Sequence, residues 1–291
     1  MRIKRYLKNA TRRLLIIFFR SIGKLTRHYY KEDYVRVYPD GLSFDNNGNK
    51  IKSTRNDINN FLNHCKFYKF AAQFVNNKVV VDVGCGSGYG CKILKQSGAK
   101  FVYGLDPSEH ALKFAKSVYG EFADFRIQEI TNIKDFPNGF FDVSISNEVL
   151  EHIKEYGMEE QAICELKRIT RKDGLMIIGT PNNEMLNSHG FSFEEINVLF
   201  KKHFSQFCIF ENALVPFGNA KSLWEYRLSK GKTGVIVSEN ISLAETVLPE
   251  GVNPEIKKGI DVGLLRFASY CIDTTLLHNT HSWVILAINS E

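Results

Sequence analysis

VVVDVGCGSGYG, residues 79–90, is the stretch that decides the fold. Its β-branched start reads as a buried strand, and a helical window follows at 88–97. Between them Gly84, Gly86, Gly88 and Gly90 permit a sharp turn and a close approach of backbone to ligand, with helix N-terminal amides facing it. Spacing narrows the choice of ligand. A dinucleotide loop needs G-x-G-x-x-G/A, but the sixth position is Tyr89 counted from Gly84, Cys91 from Gly86 and Ile93 from Gly88. No G-x-x-x-x-G-K-[ST] occurs, and the loop holds neither Lys nor Arg to meet a triphosphate.

Around this loop, short β-rich runs alternate with helical windows. The pattern predicts strands at 79–83, 101–105, 124–128, 142–146, 174–180, 204–210 and 282–289, with helices at 61–75, 88–97, 108–119, 158–170 and 192–202. Such alternation implies an α/β fold, a parallel sheet covered on both faces. Residues 1–60 read as a basic amphipathic helix followed by a polar loop with a short strand pair, 61–210 as the core, 211–281 as an insertion or cap, and 282–291 as the closing strand.

Two acids refine the ligand. Asp82, two positions before Gly84, would repel a pyrophosphate and favour a cationic ligand. Asp106, in Gly104-Leu105-Asp106-Pro107 at the end of the next strand, is placed to accept ribose hydroxyls. A phosphate-free nucleoside carrying a cationic amino acid meets both conditions, and S-adenosylmethionine is such a molecule.

Five landmarks occur in order: D-V-G-C-G-S-G (82–88), G-L-D-P-S (104–108), Q-E-I (128–130), F-F-D-V-S-I-S-N-E-V-L-E-H-I (140–153) and L-K-R-I-T-R-K-D-G-L-M-I-I-G-T-P-N (166–182). On these the chain resembles the class I S-adenosylmethionine-dependent methyltransferases, over about half its length. The resemblance implies a doubly wound, Rossmann-like sheet of seven strands, the last antiparallel, with an insertion between the final two. It assigns Asp82, Gly84, Cys85, Gly86, Ser87 and Gly88 to the methionine portion, Asp106 and Pro107 to the ribose, Glu129 and the Ile130 amide to the adenine, and Asn147 to the cofactor cleft. Glu129 stands where Asp is commoner. His64 and Tyr68 match an H-x-x-x-Y pattern of related bacterial enzymes, which places Tyr68 over the cofactor.

Methyl transfer is an in-line displacement at carbon, so alignment dominates, and a base adds to it when the nucleophile is a hydroxyl. His152, just past the fourth strand in Asn147-Glu148-Val149-Leu150-Glu151-His152, is the expected base, with Glu148 beside it. The E-x-x-E-H triplet is similar to that of ubiquinone-biosynthesis O-methyltransferases. With His189 it also resembles the metal site of small-RNA terminal 2′-O-methyltransferases, but it lacks their second adjacent His; no metal is assigned.

The whole chain of 291 residues is 44% hydrophobic and 24% charged, which excludes a disordered or collagen-like polymer. Cysteines at 65, 85, 91, 164, 208 and 271 form no CxxC and no zinc-finger spacing, so a reducing, cytoplasmic setting is expected. The net charge of +6 hides an asymmetry: residues 1–31 carry ten basic residues and no acid, leaving −4 for the rest. Leu14–Phe19, six apolar residues, is far short of the roughly 20 that span a bilayer. The segment suits either adsorption to an anionic membrane surface or docking on its own domain.

The expected reaction is O-methylation of a small-molecule, sugar or lipid-linked acceptor. RNA 2′-O-methylation and a non-catalytic adaptor that kept the fold are the alternatives. Nucleic acid is not the expected partner, because no sequence-reading motif accompanies the basic segment.

Overall fold

The computed structural model describes residues 37–39, 43–44, 50–51, 55–183, 190–213, 235–236, 266–267, 269–270 and 280–290. The basic segment 1–31, most of the 211–281 insertion and His189 lie outside the described residues.

Seven strands build the main sheet: β1 (Val79–Val83), β2 (Phe101–Asp106), β3 (Asp124–Ile127), β4 (Phe141–Asn147), β5 (Thr170–Pro181), β6 (Phe207–Ala213) and β7 (Thr280–Ile288). Their order across the sheet is β6-β7-β5-β4-β1-β2-β3, and the two-residue piece Arg266–Phe267 extends the β6 edge. Parallel pairing joins β5, β4, β1, β2 and β3, whereas β7 runs antiparallel between β5 and β6. The expected doubly wound sheet with an antiparallel last strand is therefore present.

Among the described residues six α-helices accompany these strands: α1 (Arg55–Ala71), α2 (Tyr89–Gln96), α3 (Glu109–Tyr119), α4 (Leu150–Lys154), α5 (Glu159–Ile169) and α6 (Phe193–His203). Strand side chains alternate between two cores. Val80, Val143, Ile177 and Val284 pack with Phe67, Leu94 and Leu112 from α1 to α3. Their neighbours Val81, Ile178 and Ile285 pack with Leu150, Leu166 and Phe200 from α4 to α6. A strand buried on both faces has no polar register, which is why β1 reads VVVDV rather than as an alternation.

Several boundaries differ from expectation for local reasons. The first helix spans 55–71 rather than 61–75, so the polar loop is shorter than read; Asn and Asp suit the first turn of a helix. A short antiparallel pair, Ser43–Phe44 with Lys50–Ile51, does precede it. β5 begins at Thr170 rather than 174, absorbing the turn-like Arg171-Lys172-Asp173-Gly174 through a register break opposite Phe141 and Val143. β6 is 207–213 rather than 204–210, because Phe204 closes α6 and stacks on Phe200 at 5.5 Å. Among the described residues no helix is long and apolar enough to cross a membrane.

From β1 the chain moves outward to β2 and β3, then returns to β4 on the other side of β1. Such a reversal of winding opens a crevice at the carboxyl ends of β1 and β4, where open α/β sheets bind ligands. The glycine loop, Asp106 and the Asn147-Glu148 turn all lie at these strand ends.

Candidate functional site

The loop after β1 is fixed from the second strand. The Gly84 and Cys85 amides donate to the Leu105 carbonyl at 2.7 and 3.0 Å, and the Gly86 amide donates to Asp106 Oδ2 at 2.9 Å. The other Asp106 oxygen accepts from the Ser108 amide at 2.8 Å, just before α3, whose first turn Ser108 caps through Ala111. Asp106 is thus a buried carboxylate stapling two walls of the crevice together.

Glycine is required at two loop positions for different reasons. Gly84 has φ +80°, and a Cβ there would run into the Val149 side chain, so the loops after β1 and β4 touch at this point. Gly86 has φ +52°, but a Cβ there would meet nothing within 4 Å. Its open side gives the ligand room against bare backbone.

Asp82 lies behind this loop, fully buried. The Tyr68 hydroxyl donates to both of its oxygens, at 3.2 and 3.0 Å, and the Cys91 thiol contacts Oδ2 at 3.6 Å. These donors are neutral. Burial pushes the Asp82 carboxyl up to about 7 despite both bonds, and the nearby Asp106 adds to the rise. Tyr68 therefore sits beneath the loop, its ring so close under Gly90 that a Cβ there would strike it. Burial also raises the Cys85 and Cys91 thiols, which keeps both protonated.

Two aromatic residues of this region were not singled out by the sequence reading. The Tyr89 hydroxyl is 2.7 Å from His64 Nδ1, and its ring meets Tyr68 edge-on at 5.8 Å. His64 and Tyr68, one turn apart on α1, thus serve adjacent parts of the loop. Val37 and Tyr38 also reach it, the Val37 carbonyl accepting from the Ser87 hydroxyl at 2.7 Å. Nothing in the sequence around 37 signals a contact 50 residues away.

The opposite wall follows β4. Asn147 is nearly buried at the strand end, and Ser146 ties β4 to β1 by donating to the Val83 carbonyl at 2.9 Å. Glu148 then takes φ +57°, a left-handed conformation unusual for a residue with a side chain, and its amide donates to the Gly179 carbonyl at 2.8 Å. Strain of this kind costs on the order of 1–3 kcal/mol and concentrates at functional sites. Burial, with the charge of Glu151, holds the Glu148 carboxyl well above the usual carboxylate range.

The short helix α4, not anticipated from the sequence, carries the rest. The Glu151 side chain is 1% exposed, with Oε2 accepting from Thr180 Oγ1 at 3.0 Å and Oε1 lying 3.7 Å from His152 Nε2. His152 keeps 27% of its side chain exposed. One strand end therefore joins a solvent-reaching imidazole, the buried Glu151 carboxyl and the Glu148 carboxyl whose titration burial pushes upward. Among the described residues no group of three or more His, Cys, Asp or Glu could hold a metal ion.

The remaining expected residues follow β2 and β3. Glu129 is half-buried in a tight turn closed by the Asn132 amide donating to its carbonyl at 2.9 Å, and the Ile130 side chain enters the core. Pro107 is exposed between Asp106 and Ser108.

Residues 81–178 match the family model described as "Methyltransferase domain". A Mycolicibacterium smegmatis protein named "Probable S-adenosylmethionine-dependent methyltransferase" is 28% identical over 122 residues, 42% of this chain and 45% of that protein. The ubiquinone biosynthesis O-methyltransferase of Bradyrhizobium diazoefficiens is 33% identical over 107 residues, 35% of this chain and 40% of the enzyme. The chain thus spans less than half the length of these relatives. A solved S-adenosylmethionine-dependent methyltransferase from Thermotoga maritima covers 79% of this chain and 92% of its own length at TM-score 0.47 and 17% identity. The matched segment, 81–178, runs from within β1 into β5 and includes the strand ends that form the crevice.

Proposed function

We propose that the protein transfers a methyl group from S-adenosylmethionine to a hydroxyl of a small-molecule, sugar or lipid-linked acceptor. The observation that carries this reading is the placement of Asp106 on the Gly86 amide at the end of β2, with the Glu148, Glu151 and His152 group following β4 on the other side of β1. The chain's residues fit the cofactor: an acidic cradle without Lys or Arg, and a glycine whose open side admits a ligand. Asp82 and the loop from Gly84 to Gly88 would hold its methionine portion, Asp106 with Pro107 its ribose, and Glu129 with the Ile130 amide its adenine.

When bound, the cofactor supplies an electrophilic methyl and a thioether leaving group. The protein's larger task is to hold an acceptor in line with it, since near-attack alignment can supply about 7–11 kcal/mol. His152 takes the hydroxyl proton as the oxygen attacks. The buried Glu151 carboxylate beside it stabilises the imidazolium that forms, as a carboxylate does behind a histidine base in other enzymes. Glu148, kept protonated, is a hydrogen-bond donor toward the acceptor rather than a competing base.

A labelled-methyl transfer screen over nucleotide sugars and membrane-pathway metabolites tests this reading. Transfer to a hydroxyl compound is expected, and His152→Gln should lose transfer while keeping cofactor affinity. Transfer only to RNA, in a chelator-sensitive reaction, would replace the proposed acceptor class.

The charge of residues 1–31 supports an acceptor made at a membrane, because each Lys or Arg near an anionic surface contributes about 1 kcal/mol. Deleting that segment should abolish sedimentation with vesicles rich in phosphatidylserine. Undiminished vesicle binding would remove the membrane from the proposal.

A further inference from the structure

The glycine loop is covered by a segment that none of the family landmarks includes. Ser87, inside the loop, is wholly buried, and its hydroxyl donates to the Val37 carbonyl at 2.7 Å. Tyr38 is 3% exposed, meets Phe114 of α3 edge-on at 5.1 Å and places its hydroxyl 3.3 Å from His110 Nδ1. Val37 packs against the same core cluster that holds Cys85 and Tyr89.

These contacts fall on two different walls of the crevice. Ser87 belongs to the loop after β1, whereas His110 and Phe114 lie on the helix that starts beyond Asp106, after β2. Residues 37–39 therefore bridge across the two elements that Asp106 joins from beneath. Simple helix packing would account for Tyr38 on α3, but it gives no reason for a loop hydroxyl to be satisfied by a carbonyl 50 positions earlier. A buried hydroxyl that loses its acceptor is costly, so the loop gains its present form only with the segment seated.

We infer that Val37–Tyr38–Pro39 is a strap on the cofactor site: Tyr38, anchored against α3, presents the Val37 carbonyl to Ser87, and so holds the glycine loop closed and slows release of its ligand. The ligand's identity rests on the methyltransferase reading; the strap's action on the loop does not. Val37 and Tyr38 are positioning residues, acting on the ligand through Ser87.

The test compares Tyr38→Ala, Tyr38→Phe and Phe114→Ala by two measurements. Stopped-flow dissociation of S-adenosylmethionine should be about five- to tenfold faster in Tyr38→Ala, the effect of one hydrogen bond and part of an aromatic contact. Phe114→Ala should move in the same direction without altering any loop residue. Tyr38→Phe keeps the edge-on ring against Phe114 and the main chain that presents the Val37 carbonyl, and should stay within about twofold of the parent. In the ligand-free protein, amide exchange at residues 84–88 should accelerate in Tyr38→Ala while β4 and β5 remain protected.

Unchanged dissociation and unchanged loop exchange in a folded Tyr38→Ala protein would overturn the strap. Should that variant fail to fold, Tyr38→Leu, which keeps buried volume but loses the ring and hydroxyl, carries the same two readouts. Failure of the parent protein to bind S-adenosylmethionine would instead defeat the functional reading, and loop exchange would still decide on the strap.

Discussion

Asp106→Ala is expected to weaken S-adenosylmethionine binding by at least about 100-fold, the largest single loss in the site. Its carboxylate accepts from the Gly86 and Ser108 amides at 2.9 and 2.8 Å in a position 2% exposed. Hydrogen bonds to a charged acceptor are each worth about 1.5–3 kcal/mol, so removing both forfeits about 3–6 kcal/mol of loop order before any ribose contact is considered. Asp106→Asn, which retains one acceptor oxygen, should fall between the two. Calorimetric titration of both variants, with urea unfolding to establish that they fold, checks the ranking. An alanine variant that binds like the parent would remove Asp106 from the site.

Asp82→Asn should change stability and affinity in opposite directions. Burial raises the Asp82 carboxyl from 3.8 to about 7, so between those values the folded protein holds a proton that the unfolded chain has released. Stability of the empty protein must then fall as pH rises from about 4 to about 7, with nothing further to lose above. At about 1.4 kcal/mol per unit, the ionisation costs on the order of 4 kcal/mol at pH 8. Asn mimics the protonated acid and is spared that cost, so the variant should unfold at higher urea concentration than the parent at pH 8, with the gap closing near pH 4.

Affinity runs the other way because the ligand is a cation. It favours the ionised carboxylate, so parent binding should strengthen by up to about tenfold per pH unit below 7 and level off above it. Asp82→Asn should lose this dependence and bind more weakly at pH 8. Parallel pH profiles for the two proteins would show that Asp82 does not sense the ligand. The trade resembles the general one in which a strained functional group is retained at the expense of stability.

The approximate strand positions and the glycine turn were legible in the sequence because each rests on local chemistry. VVVDV reads as a buried strand from its β-branched run, and Gly84, Gly86 and Gly88 as a turn, each of them with positive φ in the structure. Asp106 was found for the same reason, as an acid at a predicted strand end. What escaped depends on contacts between distant residues. The β5 start was misplaced because Asp173-Gly174 carries turn chemistry, yet the Asp173 amide donates to the Asn289 carbonyl at 2.7 Å and keeps that stretch on the sheet.

Asp82 was expected from the sequence as an acid beside the glycine loop, but its buried setting was not foreseeable. Its partner Tyr68 arrives from a helix 14 residues earlier, and it is burial, only partly offset by the bonds from Tyr68 and Cys91, that lifts its carboxyl. Likewise the E-x-x-E-H spacing gave Glu148 and His152, whereas the buried role of Glu151 depends on Thr180 from the neighbouring strand. The Val37–Ser87 bond had no signature at all, since a main-chain carbonyl leaves none.

Titration calorimetry of the full chain at pH 8 with S-adenosylmethionine, its demethylated product and NAD tests the central claim most directly. A crevice made for a sulfonium nucleoside should give saturable one-to-one binding of the first two and none of the dinucleotide. Folded protein that takes up neither adenosyl compound, or that binds NAD at the same site, would contradict the account.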